Sequence, residues 1–235
     1  MQSSVTKPAN NKLLSSLPRE HFNLLAPHLT TVTLLQGAVV LEANEEVDQV
    51  YYPHNGMFSL LAVMRDGNAI ETATVGREGV VGAMAGFGLY KSPVRVVVQL
   101  PLTASKIEAP KFRKVIASSD PLRNTCINYN EALLTQARAI AACNALHRVE
   151  ARICRWLLRS VDCAANDTVA LTQELLAEML GIRRTSVNEV AGKLESEGAI
   201  AYSRGVIRIL VRAALERFSC ECYGTLVAQE ATLTK

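Results

Sequence analysis

Residues 171–210 read LTQELLAEMLGIRRTSVNEVAGKLESEGAIAYSRGVIRIL, and this stretch decides the class of the C-terminal half of the chain. Thr172 precedes apolar residues at helical spacing, and Gly181 permits the left-handed turn that ends such a helix. A second helical pattern begins at Arg184, and its apolar face consists of Val187, Val190, Ala191 and Leu194. Two helices joined by a short turn that contains glycine are typical of a helix-turn-helix.

Two short strand patterns, AIAYSR and VIRIL, follow on either side of Gly205. A hairpin in this place forms a wing whose tip can meet phosphates, while the start of the second helix can reach base edges. Arginine pairs well with guanine, and asparagine pairs well with adenine. We therefore predict an interface for double-stranded DNA that is built from Thr172, Gln173, Arg183, Arg184, Thr185, Ser186, Asn188, Ser203, Arg204 and Arg208.

The net charge of the chain is too small to indicate a partner, but its location is informative. The whole chain has 25 Lys and Arg against 22 Asp and Glu, a net charge of +3. Residues 138–217 contain 12 basic and 9 acidic side chains, so the other residues are balanced at 13 of each. The excess favours a DNA interface over the alternative, a structural helical hairpin with a basic solvated face.

A long helix without breakers is predicted over residues 120–147, since neither Pro nor Gly occurs from Leu122 to Leu180. Asp120-Pro121 is a good start signal, with Asp as the N-cap. A heptad-like seam, which we predict to be a dimerisation face, consists of Ile127, Asn130, Leu134, Ala137, Ala141 and Asn144. The alternative is that the helix packs only on its own β-domain.

A second amphipathic helix is predicted over residues 148–160. Its apolar face includes Trp156, which we interpret as a core anchor, and its arginines lie largely on other faces. Those arginines are Arg148, Arg152, Arg155 and Arg159.

The N-terminal half changes to a pattern of strands and turns. Residues 12–29 predict two short helices around Pro18, and Pro110 opens another short helix. Seven strand patterns lie between Thr31 and Ile107, namely TVTLL, AVVLE, DQVYYP, MFSLLAVM, AIETATV, VRVVVQL and TASKI. Many short strands separated by tight turns are typical of a sandwich, roll or barrel.

Taken together, these stretches resemble the cyclic-AMP receptor and fumarate-nitrate reductase regulator (Crp/Fnr) family over nearly the whole chain. The matching stretches are VYYPHNGMFSLLAVMRDG, VGREGVVGAMAGF and TQELLAEMLGIRRTSV. The resemblance implies an α+β chain with an N-terminal β-roll of the cyclic-nucleotide-binding type at 1–119, a dimerisation helix at 120–147 and a winged helix-turn-helix domain at 148–235. It also implies a homodimer that binds DNA, contacts RNA polymerase and responds to a small-molecule effector.

The resemblance also locates an effector pocket, which has lost the family's ligand groups. Cyclic-nucleotide members hold the ligand with a Gly-Glu and an Arg-Ser pair, which become Gly82-Ala83 and Ser92-Pro93 here. The ribose-binding Glu and the phosphate-binding Arg are therefore missing. Arg95, two residues beyond the second pair, is a candidate to replace that Arg, so the predicted pocket consists of Gly82, Ala83, Ser92 and Arg95. In the DNA interface, the family's base-contacting Arg falls on Arg184, whereas Thr185 and Glu189 depart from the cyclic-AMP receptor. We expect a different operator and no tight binding of cyclic AMP.

The remaining residues indicate no enzyme, cofactor or metal. Oxygen-sensing members hold an iron–sulfur cluster with N-terminal cysteines, but no Cys precedes Cys126. Cys220 and Cys222 form a close pair, for which we expect no further His or Cys ligand nearby; a redox or metal role is the alternative. Only His54 lies in the strand region, which argues against the main rival, a cupin-like or other small-molecule-binding β-roll without DNA binding.

The N-terminus, MQSSVTKPANNK, is polar and has no apolar core of a signal peptide. No apolar run approaches the roughly 18 residues of a membrane span. Six cysteines without a dense, loop-borne pattern are typical of a reduced compartment. We expect a cytoplasmic protein that does not engage a membrane.

Overall fold

Two short helices lead into the β-roll. The computed structural model describes residues 10–164 and 166–232, and the ends of the first and last predicted domains lie outside these ranges. Helix α1 spans Lys12–Ser16 and α2 spans Arg19–Leu25, on either side of Pro18 as predicted. Asn11 caps α1 by accepting from Leu14 N, and its side-chain amide donates to Pro53 O and Gly79 O. The helices are thereby fixed to the sheets.

All seven predicted strands are present, and they form two antiparallel sheets. One sheet has the order β1-β7-β3 and the other has the order β2-β6-β4-β5. The strands are β1 (Thr30–Leu34), β2 (Val39–Leu41), β3 (Gln49–Pro53), β4 (Met57–Val63), β5 (Ala69–Val75), β6 (Arg95–Leu100) and β7 (Leu102–Glu108). Their facing sides bury an apolar core that includes Val50, Phe58 and Val98.

The turn at Asn55-Gly56, between β3 and β4, depends on its glycine. Gly56 has φ +64°, and a Cβ atom there would lie 2.3 Å from Pro101 O. Only glycine fits this position, because both the backbone conformation and the space exclude a side chain. The turn between β3 and β4 is thus fixed against the start of β7.

Helices α3 (Ala109–Ala117) and α4 (Asp120–Leu146) follow the β-roll. The cap of α4 is Ser119, whose hydroxyl accepts from Leu122 N, so the prediction of Asp120 as N-cap was wrong by one residue. One face of α4 packs on the sheets, and Gln136 fixes it there: its amide accepts from Thr74 N at 3.1 Å and donates to Thr74 Oγ1 at 3.2 Å.

The C-terminal half contains the predicted helix-turn-helix and wing, together with three elements that were not predicted. The predicted elements are α5 (Val149–Ala164), α6 (Gln173–Leu180), α7 (Arg184–Ser196), β9 (Ile200–Ser203) and β10 (Val206–Ile209). The others are β8 (Thr168–Ala170), α8 (Arg212–Phe218) and α9 (Cys222–Thr232). Strand β8 completes a small sheet of order β8-β10-β9.

The C-terminal half packs directly on the four-stranded sheet. Met57, Leu61 and Leu100 of the β-roll belong to the same buried cluster as Leu157 and the apolar face of α6. Trp156 is 1 % exposed, which confirms it as a core residue, and its indole N–H donates to Glu71 at 3.0 Å. None of the described helices is both long and apolar enough to cross a membrane.

Candidate nucleic-acid interface and ligand cavity

Local capping rules explain the turn of the helix-turn-helix. Thr172 Oγ1 accepts from Leu175 N at 3.1 Å, so this residue caps α6. Gly181 has φ +60°, in the left-handed region. The backbone N–H of Ile182 donates to Ala177 O at 3.0 Å, which ends α6 as expected for a glycine cap. Arg183 is then the extended residue from which α7 starts.

The first turn of α7 presents polar side chains to solvent. Arg183, Arg184, Thr185 and Asn188 are exposed, whereas Ser186 is half-buried and Val187 is buried. Gln173, at the start of α6, is also half-buried, since it lines the contact between α6 and the wing. The structure therefore brings the predicted α7 residues onto one surface, while Thr172 and Gln173 have structural roles at its edge.

The wing is a hairpin with a two-residue turn. Ser203 pairs with Val206, and the two residues between them, Arg204 and Gly205, have φ values of +50° and +76°. Positive φ at both central residues is the conformation that suits the twist of a tight hairpin. Ser203, Arg204 and Arg208 are all exposed, and Arg208 alternates with buried isoleucines on β10.

Four exposed arginines of this surface have no internal ion pair. Among the ion pairs between described residues, none involves Arg183, Arg184, Arg204 or Arg208. Lys193, by contrast, is paired with Glu150 at 2.8 Å. The four guanidinium groups are therefore available to an external anion such as a phosphate.

The predicted location of the basic excess needs correction. Arg152, Arg155 and Arg159 of α5 are buried rather than solvated. Arg159 pairs with Glu78 at 2.7 Å and with Glu230, and Arg152 donates to Leu180 O. Because these three arginines are buried, they add no charge to the solvent-facing surface of α7 and the wing.

The predicted seam of α4 lies on the side of the helix that faces away from the sheets. Ile127 and Leu134 are 45 % and 43 % exposed, large fractions for aliphatic side chains in the middle of a helix. Ala141 is exposed as well, and Asn130, Ala137 and Asn144 are half-buried. The buried face of α4 consists of a different set, Leu122, Cys126, Tyr129, Gln136, Ile140 and Cys143.

A cavity of about 270 Å³ lies between the four-stranded sheet and α4. Gly82, Ala83 and Ser92 of the predicted effector pocket line it, together with Tyr129 and Asn130 of α4. Arg95 does not line it, because its guanidinium pairs with Glu42 at 2.8 Å. Asn130, predicted as a seam residue, thus also reaches the cavity wall, which the heptad pattern alone could not reveal.

The lining of the cavity is mostly apolar. Among the described residues that line the cavity, Lys91 is the one charged residue. The hydroxyl of Ser92 donates to Val94 O at 2.6 Å, so this hydrogen is not available to a ligand. Burial raises the pKa of the Cys126 thiol to about 12, so this lining group is neutral at physiological pH. The cavity therefore offers apolar contact and one cation.

The cysteine pair near the C-terminus is not isolated, contrary to expectation. Cys220 and Cys222 lie beside Cys143 and His147, and one ligand atom of each residue is within 4.8 Å of the others. The partners precede the pair by more than 70 residues in the chain, so sequence spacing alone did not reveal them. His54, the histidine of the β-roll, is bonded to Ser105 Oγ at 2.9 Å.

Comparison with known proteins agrees with this geometry. A cyclic nucleotide-binding domain model matches residues 31–119, and a Crp-like helix-turn-helix domain model matches residues 151–218. None of the curated proteins compared with the chain matches it.

Solved structures share the whole fold at low sequence identity. A transcriptional regulator of the Crp/Fnr family from Eubacterium rectale is 18 % identical with a TM-score of 0.69, covering 88 % of this chain and 96 % of its own. FixK2 from Bradyrhizobium japonicum is 14 % identical with a TM-score of 0.69, covering 82 % and 98 %. The c-di-GMP responsive regulator CLP from Xanthomonas campestris is 16 % identical with a TM-score of 0.66, covering 82 % and 99 %.

The two domain matches follow each other in the order of the observed β-roll and helix-turn-helix, and the long α4 connects them. The chain therefore combines a cyclic nucleotide-binding domain with a Crp-like helix-turn-helix domain, and it has the fold of Crp/Fnr transcriptional regulators.

Proposed function

We propose that this chain is a sequence-specific DNA-binding regulator that acts as a homodimer and has no enzymatic activity. The observation that carries the proposal is the surface of α7 and the wing, where four exposed arginines have no acidic partner among the described residues. A helix whose first turn is polar, exposed and flanked by basic side chains fits a DNA major groove. Because chromosomal DNA is the substrate of such a regulator, we place its action in the cytoplasm.

Within this surface, the residues have different roles. Arg184 and Asn188 lie about one turn apart on α7, where they can pair with guanine and adenine respectively. Thr185 and Ser186 complete the base-facing turn. Arg183, Ser203, Arg204 and Arg208 flank it and contact phosphates, and the amide groups at the start of α6, behind Thr172 and Gln173, add a further phosphate contact.

A second copy of the chain covers the seam of α4. Ile127 and Leu134 are more than two-fifths exposed in a single chain. Two α4 helices that pair through these residues remove a continuous apolar stripe from water. Asn130 and Asn144 in the same seam fix the register. The paired α7 helices then meet half-sites about 34 Å apart. Contact with RNA polymerase from such a dimer is part of the proposal.

The cavity beside α4 binds a predominantly apolar small molecule and not a cyclic nucleotide. Ala83 offers no carboxylate to a ribose, and Arg95 is held outside the cavity by Glu42. A buried phosphate without an opposing arginine is costly. We expect calorimetric titration with cyclic AMP to show no binding at micromolar concentration, and a micromolar affinity would contradict this part of the proposal.

DNA selected from a random pool by the purified chain, with and without cell extract, tests the function. We expect an inverted repeat, enriched more strongly with extract if the effector is required.

Arg184→Ala should weaken binding to the selected site by about 1–3 kcal/mol and relax base choice at one position per half-site. Arg204→Ala should weaken binding to all sequences and reduce the salt slope by about 1.

Arg19→Ala, which removes an exposed arginine at the start of α2, provides the matched control and should bind as the wild type does. Failure to enrich any sequence, or binding that does not weaken as salt rises, would show that α7 and the wing are not a DNA interface.

A further inference from the structure

Four potential metal ligands meet where α4 ends. Cys143 lies in the last turn of α4 and His147 ends the helix, so their i, i+4 spacing puts both side chains on one face. Cys220 lies in the short connection between α8 and α9, and Cys222 is the first residue of α9. Among the residues that the structure describes, no second group of this kind occurs.

Two separations within the group are close to those of a tetrahedron around one zinc ion, and all four ligand atoms lie within 4.8 Å of one another. Zn–S bonds of about 2.3 Å and Zn–N bonds of about 2.0–2.1 Å place two sulfur ligands about 3.8 Å apart, and a sulfur and a nitrogen about 3.6 Å apart. Cys143 Sγ and Cys220 Sγ are 3.5 Å apart, and Cys222 Sγ is 3.6 Å from His147 Nδ1. Three cysteines and one histidine are a common ligand set of structural zinc sites.

The histidine is oriented for this role by a carboxylate. Glu221, which lies between the two cysteines, has its Oε1 atom 3.1 Å from His147 Nε2. In the tautomer with the proton on Nε2, this N–H donates a hydrogen bond to Glu221, and the lone pair of Nδ1 is left for the metal. A carboxylate behind a ligating histidine is the usual outer partner in zinc sites.

The charge around the group is also favourable. Three thiolates and one Zn²⁺ carry a net charge of −1, which is costly in a buried place unless a cation is near. Arg152 and Arg155 of α5 are both buried and interact electrostatically with Cys143. The Nε atom of each has no hydrogen-bond partner among the described residues. These arginines supply the compensating charge.

We propose that Cys143, His147, Cys220 and Cys222 bind one zinc ion per chain. All four positions around the ion are filled by protein atoms, so the site is structural and leaves no open position for a substrate. It ties the end of α4 to the helices that follow the wing. The proposal does not depend on whether α7 binds DNA.

Metal titration of the full-length, reduced chain tests the site. After metal is removed with a chelator, Zn²⁺ should rebind at one ion per chain in competition with a chromogenic chelator. Co²⁺ should produce the visible bands and the sulfur-to-metal charge transfer of a tetrahedral thiolate site. Zinc binding should also raise the unfolding temperature, because the ion binds only the folded state.

Variants separate ligands from neighbours. Cys222→Ser should lose stoichiometric zinc and the cobalt bands. Glu221→Gln should keep the cobalt spectrum but bind zinc about 10- to 100-fold more weakly, as expected for an outer partner. Cys154→Ala, which removes a buried thiol of α5 outside the group, should bind zinc as the wild type does.

Three results would overturn the proposal. One is a reduced, folded wild-type chain, checked by circular dichroism, that takes up less than one Zn²⁺. Another is a Cys222→Ser variant with unchanged affinity. The third is isolated, zinc-free protein in which mass spectrometry finds Cys143 and Cys220 joined by a disulfide.

Discussion

Glu71 is a carboxyl group at the contact between the sheet and the helix-turn-helix domain. It is buried, and it accepts from Ser59 Oγ and from the indole N–H of Trp156. Burial raises its pKa to about 7, although those two donors oppose the shift. An unfolded chain would lose the same proton near pH 4.5. Between these pH values, the native state therefore holds one proton more than the unfolded state.

This difference predicts a pH-dependent loss of stability. The free energy of unfolding falls as pH rises from about 4.5 to 7, because the native state binds the extra proton. Glu71→Gln keeps an acceptor for Trp156 but removes the titration. Relative to this variant, the wild type should lose about 3 kcal/mol between pH 4.5 and pH 8 in urea unfolding. Parallel pH profiles for the two proteins would contradict the assignment, and the exposed Glu45→Gln serves as control.

Single side chains also show where prediction from sequence stops. Trp156 was expected in the core because it lies on the apolar face of an amphipathic helix. Arg152, Arg155 and Arg159 were placed on the other faces of that helix, but the pattern did not reveal that they are buried. The acids that justify burying Arg159 are Glu78 and Glu230, which are 81 and 71 positions away along the chain. No local pattern links such residues.

At the scale of elements, local signals predicted the β-roll strands and the four helices from α4 to α7. Strand β8 was missed because three residues carry no periodic pattern, and it exists only as a partner of β10. The heptad pattern of α4 did not show which face packs on the sheets. Burial answers this, since Gln136 and Tyr129 point inward while Ile127 and Leu134 point outward.

The outward face of α4 leads to a prediction on assembly. Leu134→Glu puts a charge into the proposed dimer seam, where desolvation disfavours it, but leaves the monomer core untouched. Sedimentation at micromolar concentration should show a dimer for the wild type and a monomer of unchanged helix content for the variant. Leu35→Glu, at an even more exposed leucine of the β-roll, should remain a dimer. A wild-type monomer would contradict the seam.

At the scale of the molecule, one arginine joins the two domains. Arg159 on α5 pairs with Glu78 after β5 and with Glu230 of α9, and its Nε donates to Thr74 at 3.1 Å. Burial acts to raise the pKa of Glu78, but the charge of Arg159, together with hydrogen bonds from Arg159 and from backbone amides, outweighs burial and lowers it. The contact between the domains therefore depends on a buried ionic group as well as on apolar packing.

Removing that arginine should be costly. Arg159→Met leaves the buried Glu78 and the half-buried Glu230 without their cation, and breaking a buried pair in this way costs about 3–5 kcal/mol. Urea unfolding measures the loss, and Glu78→Gln in the same chain should restore part of it. Arg212→Ala, which breaks exposed pairs with Asp162 and Glu216, should cost less than Arg159→Met because water screens exposed pairs. Equal losses for the two arginines would show that Arg159 has no special role.

The connection between α4 and α5 has a consequence for motion. Only His147 and Arg148 lie between Leu146 and Val149, the ends of the two helices. Each residue contributes two soft torsion angles, so very few rotations can change the direction of α5 relative to α4. Any reorientation of the two α7 helices in a dimer is therefore a discrete twist of a short joint and not the diffusion of a tethered domain. If zinc binds the imidazole of His147 as proposed, the rotations of this residue are restricted. The connection between α4 and α5 then becomes stiffer without any change in its length.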